Sequence, residues 1–357
     1  MKNSKRWSIL VLSITLALLT AVSCATGIID PMFHYHPPLE SLEYPLDNER
    51  YQNDGIVSHF TYDAVITGTS MAQNFKASQF DELFGTHCIK VCFSGGTFTE
   101  ICNNLRKALD SGNSITHVLC AIDSWFFFEH YGAMRTDAVY PTYLYDRNPF
   151  NDVQYLLNKQ IFLEDTLGVL AYTWDGNTTP DFDAYSSWGT SEIGTDIALG
   201  NYTRPAPAAQ QQAMTDQMRA LVQDTLSQTI LDLAESHPDV QFLCFFPPYS
   251  ILFWDQLQRE GELELTLEAF EIVSSLLLEQ ENVRLFSFYE NTAVTGNLDL
   301  YRDSVHYGQT VSDQILQWIH AGEYELTQSS YAGYWKDLTA YYTHYDYDAL
   351  FSDEQTP

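Results

Sequence analysis

Positive charge is scarce in this chain. Lys and Arg number 17 against 47 Asp and Glu, for a formal net charge of −30. No basic patch is present, so a nucleic-acid partner is excluded, and docking by charge onto an anionic membrane is disfavoured. Cysteine is sparse too, with six in 357 residues. Cys88, Cys92, Cys120 and Cys244 lie inside apolar, strand-like runs. Cys88 and Cys92 share a strand face but stand too far apart to bridge, so buried free thiols are expected rather than a disulfide framework. No Cys/His spacing resembles a zinc site, and no metal or organic cofactor is called for. His34 and His36 are read as packing or hydrogen-bonding groups. There is no internal repeat.

Only one uninterrupted apolar run is long. After Lys2, Lys5 and Arg6, no charge occurs from Trp7 to Ile29, a stretch of 23 residues. That exceeds a signal-peptide core and is long enough to span a bilayer, with the basic flank holding the N-terminus in the cytoplasm. A signal anchor is the first reading. Ala21-Val22-Ser23-Cys24 also resembles a lipoprotein processing site, with Cys24 lipidated, and simple secretion is the third possibility. All three place the remainder of the chain outside the cytoplasm.

Residues 30–60 read as an extended, Pro-punctuated lead-in. From residue 61 to 321, short apolar strands alternate with helices. Strands are expected at 64–67, 88–93, 117–122, 240–246 and 283–288. Helices are expected at 71–84, 98–109, 209–236, 265–280 and 311–320. Continuous apolar strands between helices indicate a three-layer α/β/α fold with a flavodoxin-like parallel sheet. About 115 residues separate the third and fourth strands. Within them, residues 126–208 are too long for a plain loop and read as a large insertion, a lid or substrate-recognition element. Residues 322–357 form an aromatic, acidic tail with room for one short helix.

In open α/β sheets, sites form beyond the carboxyl ends of the strands. Four segments meet that rule: Gly68-Thr69-Ser70, Ser94-Gly95-Gly96, Asp123-Ser124 and Asp303-Ser304-Val305-His306. Ser70 supplies a hydroxyl nucleophile. His306 can take its proton, and Asp303 can orient the imidazole and stabilise its cation. The Ser70 amide, near a helix start, and the Gly95 or Gly96 amide are candidate oxyanion donors. Asn74, one helical turn beyond Ser70, is a candidate substrate contact. Trp125, Tyr249, Trp254, Arg302 and Tyr307 flank the expected site.

The order of these blocks resembles the SGNH/GDSL hydrolase superfamily, over residues 60–125 and 240–320. The resemblance implies Ser70 as nucleophile, and Asp303 and His306 as acid and base. Two departures stand out. The first block reads Gly-Thr-Ser rather than Gly-Asp-Ser. The third block reads Ala121-Ile122-Asp123-Ser124 where the family has Gly-x-Asn-Asp, so the Asn oxyanion donor is missing. An ionised Asp123 would repel an oxyanion; acting protonated, orienting a neighbour or binding a substrate hydroxyl all stay open for it. The anchor, the Gly-Thr-Ser block and the late Asp-x-x-His are similar to membrane-anchored envelope members, of the teichoic-acid D-alanine-transfer and alginate-acetylation type. That likeness implies a serine ester hydrolase or O-acyltransferase acting on an acylated glycan or cell-wall polymer, beside a membrane-bound O-acyltransferase. The missing Asn motivates the other reading, a non-catalytic envelope scaffold or glycan-binding module.

Overall fold

Five short strands made almost wholly of buried residues form the centre of the protein's sheet. The computed structural model describes residues 2–135, 140–146 and 148–355. The strands are β1 (Ala64–Gly68), β2 (Cys88–Cys92), β3 (His117–Ala121), β4 (Gln241–Phe246), β5 (Val283–Ser287) and β6 (Glu325–Leu326). Their order is β2-β1-β3-β4-β5-β6, parallel throughout except for β6. The fold is therefore a three-layer α/β/α arrangement. Chain order reverses beside β1, the position at which open sheets hold their sites.

Two compact units are present, one made of Met1–Thr61 with Thr136–Asp181, the other of Tyr62–Arg135 with Phe182–Pro357. The larger unit holds the whole sheet. The acidic tail is part of its packing: helix Tyr331–His344 stacks Trp335 on Phe270 at 5.1 Å and Tyr342 on Trp254 at 4.1 Å. Trp254, a residue expected beside the site, is thereby committed to the core. The five Cys of the larger unit are buried free thiols. Helix 209–236 is not continuous. It begins at Asp216 and breaks between Ser227 and Ile230. Ahead of it, the Ala208 and Gln212 amides donate to Arg259 O at 2.6 Å and Gly261 O at 2.7 Å, which keeps that stretch extended.

The smaller unit contains the N-terminal helix Lys2–Ile29, long and apolar enough to cross a membrane. Helix Glu49–His59 corrects the expectation of an extended lead-in. It buries Gln52, Asn53, Asp54 and Gly55 together with Ile56 and Val57, so its inward face carries no apolar periodicity for sequence reading to detect. At the end of the N-terminal helix, buried Asp30 accepts the amides of His34, Tyr35 and His36 and the Tyr155 hydroxyl, at 2.7–3.1 Å. His36 bonds the carbonyls of Pro37 and Ile28, and His34 faces Asp152 at 3.6 Å.

Candidate active site

The turn that carries Ser70 is shaped by what its neighbours forbid. Gly68 ends β1 at φ +148, and a Cβ there would lie 2.9 Å from the Ala121 Cβ and 3.0 Å from the Ala72 Cβ. Only glycine fits both constraints. The chain then enters consecutive turns rather than the expected helix, which begins only at Ala77. The reason is Lys90, fully buried on β2. Its ammonium donates to Gln73 O (2.6 Å), Phe75 O (3.0 Å) and Asp183 O (3.2 Å). The first two carbonyls are directed to Lys90, which holds the Gln73–Phe75 end of the turn.

Ser70 sits on this turn with its hydroxyl 2.8 Å from His306 Nε2. His306 Nδ1 is 2.8 Å from Asp303 Oδ2. A carboxylate only accepts, so the neutral imidazole carries its proton on Nδ1 and leaves Nε2 bare to accept the serine proton. The other Asp303 oxygen accepts the amides of Val305 (2.9 Å) and His306 (2.8 Å), which fixes the Asp-x-x-His loop. Burial pushes the Asp303 carboxyl up. The bond and charge of His306 and the two amides outweigh that and hold it below its ordinary value. The three side chains thus line up as hydroxyl, imidazole and carboxylate, with Nε2 turned to the Ser70 hydroxyl and the carboxylate on Nδ1. Among the described residues the Ser70 amide donates to nothing, and it remains available to an oxyanion.

Asp123 lies fully buried behind the serine. It accepts the Thr69 hydroxyl at 2.7 Å and the Tyr249 hydroxyl at 2.5 Å. Burial raises its carboxyl to about 6, while both hydroxyls and the His306 charge pull it back down. It does not line the cavity. Of the roles left open for it, orienting a neighbour is the one its contacts match: Thr69 Oγ1 in turn accepts the Met71 amide at 3.3 Å.

Three other expected contacts, Gly95, Gly96 and Asn74, are not among the residues that line the cavity. The Gly96 amide donates to Phe93 O at 2.7 Å and is used up in its own turn. Gly95 is exposed at φ +56, against Arg135, whose guanidinium donates to Ser94 O. Asn74 is buried, and its Oδ1 accepts the Trp188 amide (3.0 Å) and the Ser187 hydroxyl (3.3 Å). It holds a loop instead of facing the cavity. Tyr307 is buried and bonds Met71 O, and Trp125 is partly exposed.

That loop belongs to the segment 126–208 expected to be a lid or substrate-recognition element, but Trp188 within it was not singled out by sequence reading. Trp188 donates its indole N–H to Ser70 O at 3.0 Å and stands edge-on to His306, ring centres 5.4 Å apart. With Gln73, Ser94, Asn201 and Arg302, it walls a cavity of about 550 Å³ in which Ser70, Asp303 and His306 are also exposed. Asn201 donates to Arg302 O, and Arg302 reaches Ser191 at 3.3 Å, so residues 187–201 strap the cavity. The one available sequence signal was an isolated Ser-Trp-Gly in a stretch without periodicity. Among the described residues no group of His, Cys, Asp and Glu is arranged to hold a metal.

No protein-family model matches the chain, and no curated protein matches it. It is similar to a solved structure from Streptococcus pneumonia described as a platelet activating factor. The identity is 12%, over 77% of this chain and 90% of that one, with a TM-score of 0.38.

Proposed function

We propose that this protein is a serine ester hydrolase or O-acyltransferase, tethered outside the cytoplasmic membrane and acting on an acylated cell-envelope glycan or polymer. One observation carries the reading: the Ser70–His306–Asp303 relay, with both contacts at 2.8 Å. His306 takes the Ser70 proton as Oγ attacks the acyl carbonyl. The oxyanion forms against the Ser70 amide, and the Gln73 carboxamide and Arg302 guanidinium are further donors in the cavity wall. His306 then gives its proton to the departing alkoxide, leaving an acyl group on Ser70. Water or a sugar hydroxyl, deprotonated by His306, releases it.

The cavity falls within the range of small-molecule sites, and its walls are polar and aromatic, as a sugar ester requires. The envelope setting is supported by the N-terminal helix, and a membrane-bound O-acyltransferase is the partner proposed with it. The test is labelling of the detergent-solubilised full chain by a fluorophosphonate. Wild type should label, while Ser70→Ala and His306→Ala, still folded by circular dichroism, should not. A folded wild type that stays unlabelled, with its cavity open to solvent, would return the protein to the scaffold reading.

A further inference from the structure

Beyond the N-terminal helix, large apolar side chains are left exposed on one face of the smaller unit. The chain from Ile161 to Trp174 is helical, with a widened turn over Ile161–Thr166 followed by helix Leu167–Trp174. Ile161, Thr166 and Val169 point inward. Leu163, Leu167, Leu170 and Trp174 point out, at 49%, 41%, 42% and 90% exposure. Their spacing of four, three and four puts them on a single stripe. Phe150 and Val153, at 90% and 53% exposure, precede it in the same unit.

From this geometry we infer that the stripe lies in the headgroup boundary of the outer leaflet, as an interfacial collar around the point where the N-terminal helix leaves the membrane. The inference rests on reading that helix as a membrane span. Continuity identifies lipid as the occupant. Helix Lys2–Ile29 is exposed along most of its length and first becomes buried near its C-terminal end, at Thr26 and Ile29. There it packs on Val153–Leu156 and Ile161–Thr166, with Thr166 Oγ1 3.4 Å from Thr26 Oγ1. The stripe therefore starts beside the end of the span. Trp174, with an apolar body and one N–H, is the side chain an interface favours. No Lys or Arg occurs between Lys159 and Arg204, while Glu164 and Asp165 lie within the span of the stripe and Asp175 follows it. The attraction is then hydrophobic, and zwitterionic lipid should serve at least as well as anionic lipid.

The test uses the full chain in nanodiscs of phosphatidylcholine brominated near the headgroup end of its acyl chains. Comparison with Trp174→Phe isolates the emission of Trp174, and comparison with Trp7→Phe isolates a residue inside the span. Bromolipid should quench most of the Trp174 emission. Leu163→Ser/Leu167→Ser/Leu170→Ser should abolish that quenching while leaving Trp7 quenched. Trp174 emission that is solvent-like and unquenched beside a quenched Trp7 would overturn the collar and spare the span. Blue-shifted but unquenched emission would also overturn it, because protein, a second copy or a partner, would then cover the stripe. If neither tryptophan is quenched, the span itself fails and the collar with it; fluorophosphonate labelling of Ser70 reads the catalytic proposal independently.

Discussion

The two units invert each other's use of polar and apolar groups. In the larger unit, titratable groups gather around one hydroxyl: Lys90 and Asp123 are fully buried, Asp303 is partly buried at the cavity, and all three act around residues 69–75. In the smaller unit, a buried carboxylate, Asp30, secures a turn, and beside a small apolar core a set of large apolar side chains faces outward. Among the described residues, and leaving aside the N-terminal helix, eight large apolar residues are exposed in the smaller unit (Tyr35, Phe150, Val153, Leu157, Leu163, Leu167, Leu170, Trp174) and four in the larger (Trp125, Tyr131, Ile193, Tyr341), although the larger unit is more than twice as long. Buried charge that is fully bonded marks a place where geometry matters. Exposed apolar surface marks a place where another phase or molecule belongs.

The largest expected effect lies in the relay. Asp303→Asn should leave the fold intact and lower the fluorophosphonate labelling rate by about 10³–10⁴, because an amide does not hold the imidazole in the tautomer that frees Nε2. Combining it with His306→Ala should cost little more than His306→Ala alone. Additive losses would separate the two residues and break the relay.

Next is Lys90→Met. It leaves two buried carbonyls and one part-buried carbonyl without their ammonium, so urea denaturation of the solubilised chain should show a loss of about 3 kcal/mol. Labelling of the surviving folded fraction should slow as well, because the Gln73–Phe75 end of the turn is no longer held. A stable, fully reactive Lys90→Met would show that the turn holds itself.

Asp123 makes a pH prediction of defined sign. Its carboxyl rises from an ordinary 3.8 to about 6, so folding favours the protonated form. That preference is fully present below about pH 4 and lost as pH rises through 6, at a cost of about 3 kcal/mol. Stability measured from pH 4 to 8 should fall across this window, and Asp123→Asn should flatten the fall. Asp303 works oppositely: its lowered carboxyl adds stability above its unfolded value, and this is lost only as pH drops below that range. An unchanged profile in Asp123→Asn would mean that the carboxyl is not the group titrating.

Smaller effects sharpen the contrast. Trp188→Phe removes the N–H bond to Ser70 O, worth about 1 kcal/mol, and should slow labelling about fivefold without changing the fold. Leu167→Asn, on the outward stripe, should change stability in detergent by no more than about 0.5 kcal/mol. A loss several times larger would mean that Leu167 is packed within the unit.

The parallel sheet was legible because its strands are nearly all apolar and end in Gly, Ser or Asp at the same edge. Ser70 was legible because it stands just past such a strand, and Asp303 and His306 because an Asp-x-x-His loop leads into the last helix of the core. The helix Glu49–His59 was not, since it buries amides and a carboxylate. The Trp188 strap was not, since a loop held by Asn74 and Asp183 has no period. Gly96 and Asn74 were expected to face the cavity and do not, and the sequence left the role of Asp123 open, because position near a site does not reveal which way an amide or carboxyl points.

The apolar pattern of the chain by itself determined a buried parallel sheet and one long lipid-compatible helix, because burial is dictated by side-chain chemistry that can be read residue by residue. Tertiary structure alone decided which polar groups meet. Ser70 and His306 are 236 positions apart. Lys90 takes carbonyls from Gln73 and from Asp183, which lie on opposite sides of it in the chain. A hydrogen bond of 2.8 Å depends on backbone paths that the composition of neither segment specifies.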